Sequence, residues 1–146
     1  MRKRPNSSMD MKAEFLRIMR AQTDMAIATS VEGQPNVRIV NFYFDDAVGI
    51  LYFSTFKDND KVREMSENPH VAFTTVPHEG NAHVKAKGLA KISARSIFDV
   101  AERFIEKIPD YASTIEYAGD SLIVYEVKFD EALVTLDFEH IETIRL

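Results

Sequence analysis

The chain has no cysteine. That absence removes disulfides, thiolate nucleophiles and cysteine zinc sites together, so any redox chemistry has to come from a bound cofactor. Glycine and proline are scarce, five of each in 146 residues. No glycine run of the P-loop or Rossmann kind occurs, which argues against either nucleotide site, and no serine sits between the glycines of a nucleophile elbow. His70, His78, His83 and His140 share no metal-ligand spacing and have no accompanying acidic cluster, so no metal site is expected. No apolar run approaches the roughly 20 residues of a membrane helix, so no membrane partner is expected. Arg2, Lys3 and Arg4 are followed by no apolar signal core, which points to the cytoplasm. A net charge of −5 argues against nucleic acid as a partner.

What remains, 45% hydrophobic and 28% charged residues, is the composition of a folded domain. Without an internal repeat or composition break, one domain over residues 9–146 is expected, preceded by a flexible tail at 1–8. Met11, Phe15, Ile18 and Met19 recur at helical spacing and predict a helix over 9–21. Strands are expected at 25–29, 36–44, 49–55, 70–76, 83–92, 122–129 and 132–138. A short helix is expected over 59–67, stopped by Asn68-Pro69. A longer one, capped by Ser93, would bury Ile97, Ala101, Phe104, Ile105 and Ile108. Six or seven strands joined mainly by hairpins predict a mainly β, α+β fold, a small antiparallel barrel with three helices.

The strand 49–55 ends on Ser54 and Thr55, and the helix after it carries Lys61 in its first turn. Hydroxyls and amides at a helix start, backed by cations, suit a phosphate monoester. Arg38 lies on a strand beside Val40, Phe42 and Phe44. Alone it reads more readily as one half of an ion pair with Asp45 or Glu64. Taken with Ser54, Thr55 and Lys61, it reads as a second phosphate cation. On strand 83–92, Lys87 and Lys91 read as a solvated face, while His83 and Lys85 stand nearest the loop, where a ligand could reach them.

The order of these pieces resembles the FMN-binding split-barrel family related to pyridoxamine 5'-phosphate oxidase. The carriers are Val37-Arg38-Ile39-Val40, Leu51-Tyr52-Phe53-Ser54-Thr55, the Lys61 helix running to Glu67-Asn68-Pro69, and Val84-Lys85-Ala86-Lys87-Gly88. The resemblance covers roughly residues 10–138. It implies a homodimer with FMN at the interface: Arg38 and Lys61 on the phosphate, Ile39 and Val40 along the isoalloxazine edge, Ser54 and Thr55 beneath it. His83 falls where many members place a glutamine, and Lys85 at a nearby basic position. Asn59 replaces a frequent serine or threonine and can still cap the helix. The ending Ile144-Arg145-Leu146 lacks the longer substrate-closing segment of the vitamin B6 oxidases. The chain therefore looks more like the short general-stress and nitroimidazole-resistance members, whose substrates are often unknown.

The expected activity is FMN-dependent oxidoreduction of an unidentified small molecule, with His83 the one candidate proton donor. Two alternatives stay open. One is a carrier or sensor of FMN, haem or a deazaflavin, for which His78, His83 or His140 could ligate haem. The other is a dimer with an empty site, in which both Arg38 and Lys61 pair with acids of their own chain.

Overall fold

The structure, a computed structural model, describes residues 10–146; the tail expected at 1–8 lies outside the described residues. Helix α1, Met11–Ala21, starts where the Asp10 carboxylate accepts from the Ala13 amide at 3.1 Å. Its apolar stripe, Met11, Phe15, Ile18 and Met19, is buried. The hairpin of β1, Asp24–Val31, and β2, Gln34–Asn41, turns on Glu32 and Gly33, both at positive φ (52° and 79°). Two such residues give the tight turn that matches strand twist.

The expected strand 36–44 is broken. β2 ends at Asn41, and β3, Tyr43–Asp45, begins after the fully buried Phe42. β2 ladders with β1, whereas β3 ladders with β4, Ile50–Phe56. The remaining elements are α2 (Asp60–Glu67), β5 (His70–Thr75), β6 (His83–Ile92), α3 (Ile97–Lys107), α4 (Tyr111–Ala118), β7 (Leu122–Lys128), β8 (Glu131–Asp137) and β9 (His140–Arg145). All ladders are antiparallel, in the order β2-β1-β5-β6-β7-β4-β3. The two ends of that order are halves of one run of chain, so the run itself joins the edges. At β6 the sheet forks: His83 to Lys85 pair with β8, and Leu89 to Ile92 with β7. Gly88 stands at the fork, where a Cβ would collide with the Lys128 carbonyl oxygen. This is a split barrel, as expected, but with nine strands and four α-helices among the described residues rather than six or seven and three.

The differences have physical causes. α3 is capped by Ser96, not Ser93, in a reciprocal box with Asp99. Ser93 instead donates to Glu126 at 2.7 Å. α4 is only eight residues long and buries just Tyr111 and Ile115. β9 is largely exposed and carries no apolar alternation.

Two clusters make the core. The barrel interior holds Phe15, Ile18, Met25, Ile27, Phe42, Leu51, Phe53, Phe73, Val84 and Val134; a second cluster under α3 and α4 holds Tyr43, Tyr52, Val100, Phe104, Tyr111 and Val124. β4 lies between them. Leu51 and Phe53 face the barrel, while Tyr52 faces the helices, because alternate side chains of a strand leave on opposite sides. By that alternation Ser54 is presented to α4, at the end of β4 that leads into α2.

Candidate functional site

The end of β4, the start of α2, the end of β2 and the first turn of α4 border an open cavity of about 310 Å³. Ile39, Val40, Ser54, Thr55, Asn59 and Lys61, six of the expected site residues, line it. Asn41, Phe56, Tyr111, Thr114 and Leu122 complete the lining.

Lys61 is the centre of the site. Only 6% of it is exposed, yet no carboxylate stands within ion-pair distance among the described residues. Its Nζ donates to Asn59 Oδ1 at 3.1 Å, and that oxygen also accepts from the Lys61 amide at 2.9 Å, capping α2. Burial pushes the Lys61 ammonium below its ordinary pKa, and Arg38 adds to the effect; Glu64 opposes both. A buried ammonium held by one neutral amide oxygen is under-compensated, and an anion in the cavity would relieve it.

Arg38 is placed differently. Its guanidinium meets Glu64 Oε1 at 2.7 Å and donates to Thr29 Oγ1 at 2.8 Å. Thr29 also donates to Glu64 Oε1 (2.8 Å), and Asn36 donates to Oε2 (2.6 Å). Hydrogen bonding from Thr29, reinforced by Arg38 and Asn36, holds the Glu64 carboxyl below its ordinary pKa despite its burial. Of the two acids proposed for Arg38, Glu64 is the partner, and Arg38 does not line the cavity.

His83 and Lys85 lie elsewhere. His83 Nδ1 contacts the Asn81 carbonyl at 2.6 Å. Lys85 lines a groove of about 650 Å³ with Lys87, Asp130, Glu131 and Arg145. Within one chain neither reaches Lys61. The ladders nonetheless place Ile39, Ala26, Thr74 and Lys85 in one row across four strands, with Val37, Ala28, Ala72 and Lys87 in the next. Ile39 and Lys85 thus share an outer face, three strand spacings or about 14 Å apart. The alanines keep this face flat, and Val37 (68%) and Ile39 (59%) are exposed on it.

The sequence reading missed Tyr111 and Thr114. A signal existed: Pro109-Asp110 followed by Tyr111 and Ile115 at i, i+4 spacing marks a helix start. No cluster of metal-ligating residues occurs among the described residues, and no helix among them is long and apolar enough to cross a membrane.

Comparison with known proteins decides the family. The model of the pyridoxamine 5'-phosphate oxidase-like family matches residues 18–140. The chain belongs to that family. The resemblance carried by the Arg38, Ser54 and Lys61 segments is therefore borne out. A pyridoxine/pyridoxamine 5'-phosphate oxidase of Rippkaea orientalis is 35% identical over 77 residues, 51% of this chain and 35% of that protein. The matched stretch spans about a third of that relative's length. Solved structures with the same fold include General Stress Protein 26 of Bacillus anthracis, at 17% identity and TM-score 0.74, covering 94% of this chain and 100% of that one. A FAD-binding protein of Mesorhizobium loti shares 16% identity at TM-score 0.63, over 82% and 90% of the two chains. HutZ, a haem storage protein of Vibrio cholerae, shares 13% at TM-score 0.70, over 90% and 100%. In this pyridoxamine 5'-phosphate oxidase-like chain, the cavity at Lys61 is lined by a buried ammonium, two hydroxyl side chains and the cap of α2.

Proposed function

We propose that this chain is an FMN-binding flavoprotein, an oxidoreductase that works as a homodimer in the cytoplasm on a small molecule yet to be identified. One observation carries the reading: Lys61 is buried in a cavity lined by Ser54, Thr55 and Asn59, with no carboxylate of the described residues at ion-pair distance. A phosphate dianion answers that arrangement. An ammonium and an oxyanion about 4 Å apart near a protein surface attract by roughly 4 kcal/mol before desolvation. Lys61 and the hydroxyls would hold the phosphate, and Ile39, Val40, Phe56 and Leu122 would offer apolar surface to the rest of the molecule. When bound, the flavin would supply the electron transfer that a chain without cysteine cannot supply itself.

Pairing of two copies through the flat outer face would bury Val37 and Ile39. It would also offer His83 and Lys85 of one chain to the site of the other, which one chain alone does not achieve. Arg38 in this reading supports the site through Glu64 on the Lys61 helix rather than touching the phosphate.

The test is the visible spectrum of purified protein, loaded with FMN and freed of excess, for wild type and Lys61→Met. Flavin bands in the wild type and none in the variant are expected. A colourless wild type that refuses FMN overturns the reading, and a Soret band would transfer it to haem. Reduced holoprotein should then pass electrons to oxygen, quinones or nitroaromatics faster than free FMN does; equal rates would leave a carrier rather than an enzyme.

A further inference from the structure

We infer that Tyr111 is a positioning residue of this site: its hydroxyl donates to Ser54 and so turns the Ser54 proton toward an anionic oxygen in the cavity. The inference rests on the FMN reading and adds a phosphate-specific device to it.

Tyr111 opens α4 and is only 7% exposed. Its ring stacks on Phe104, centroids 4.7 Å apart and planes 15° from parallel, so the phenol has little freedom. Its hydroxyl bonds to Ser54 Oγ, the one hydrogen-bond partner it has among the described residues. Ser54 is half-buried and lines the cavity beside Lys61, as does Thr114 on the same face of α4.

A bond between two hydroxyls can run either way, and burial decides which. Among the described residues the Tyr111 proton has no acceptor other than Ser54, and a buried donor left unpaired costs about 1–3 kcal/mol. Both residues border the cavity, but Ser54 is half-buried whereas Tyr111 is 7% exposed, so the Ser54 proton has the freer access to it. Tyr111 therefore donates, Ser54 accepts, and the remaining Ser54 proton is free to face the cavity. Burial also raises the Tyr111 pKa, more than its bond to Ser54 lowers it. The phenol thus stays a donor at neutral pH. The consequence is selectivity. An oxyanion beside Lys61 gains a donor whose direction is already set, while a flavin lacking the phosphate gains nothing from it.

The experiment measures the affinities of FMN and riboflavin for wild type, Tyr111→Phe, Ser54→Ala and the double variant. Tyr111→Phe keeps the ring stack, and its melting temperature should match wild type. We expect it to weaken FMN about tenfold and leave riboflavin unchanged. Ser54→Ala should show the same bias, and adding Tyr111→Phe to it should change nothing more. Equal losses for both flavins would make Tyr111 a mere wall and overturn the inference. An unchanged FMN affinity, or full additivity with Ser54→Ala, would also overturn it. If wild type binds FMN, such a failure leaves the FMN reading standing. If wild type binds neither flavin, the FMN reading falls and takes the inference with it.

Discussion

Arg38 and Lys61 lie close enough to lower the Lys61 pKa, yet they meet opposite surroundings. Arg38 is locked to Glu64 and Thr29, and Thr29 and Asn36 also donate to that carboxylate, so both its oxygens are used. Lys61, three residues before Glu64 on α2, is more deeply buried and has, among the described residues, only Asn59 as a hydrogen-bond partner for its ammonium. The same charge type on one small region therefore serves two ends. A buried cation whose partners are complete holds the fold, because removing it strands a carboxylate. A buried cation whose partners are incomplete points to a ligand, since its desolvation is not offset within the chain.

The largest effect that sharpens this contrast is on stability. Arg38→Met leaves Glu64 buried without its counter-ion and should cost about 3–5 kcal/mol, read from urea melts. A cost below about 1 kcal/mol would mean that the pair behaves as a surface bridge. Lys61→Met should do the reverse. It should leave the melting temperature level or higher while weakening FMN at least about 100-fold, or about 2.7 kcal/mol, in a flavin-fluorescence titration. If both variants lose stability alike, the contrast fails.

Lys107 offers a third case. Its Nζ donates to the carbonyls of Met19 (2.9 Å) and Phe42 (3.0 Å) and sits 3.7 Å from the Phe42 ring centre, tying α3 to α1 and the β2–β3 break. Burial lowers its pKa from 10.5 to about 7, with Asp24 opposing. Between those two pH values the unfolded chain holds a proton that the folded chain has lost, so stability rises with pH. The slope is at most about 1.4 kcal/mol per pH unit, and below the folded value it vanishes. Denaturant melts across that window should show the slope in wild type and lose it in Lys107→Met. Identical slopes would mean that Lys107 keeps its proton. The smallest effect is at the cap: Asn59→Ala removes the acceptor for both the Lys61 amide and its ammonium, and should cost about 1 kcal/mol of stability. Weakened FMN binding should accompany it.

Much of this was legible from the residues. The α1 stripe, the break at Asn68-Pro69, the alternation of β6 and the turn at Gly33 are local periodicities and local backbone preferences. Ser54, Thr55, Asn59 and Lys61 were legible as a site because one strand end and one helix start are adjacent in the chain. α4 and β9 were not, since eight sparsely buried residues and an exposed edge strand carry little apolar pattern. The halving of strand 36–44 at Phe42 was equally hidden, because both halves read as strand and only their partners differ.

By itself, then, the sequence determined the antiparallel strands, the absence of thiol chemistry and the clustering of hydroxyls before Lys61. These follow from side-chain period, composition and chain adjacency. Which cation meets no carboxylate at ion-pair distance among the described residues was decided only by the tertiary structure. Glu64 had to be brought under Arg38 across 26 residues, and Tyr111 against Ser54 across 57. Such pairings depend on where strands and helices pack, and no local preference encodes them.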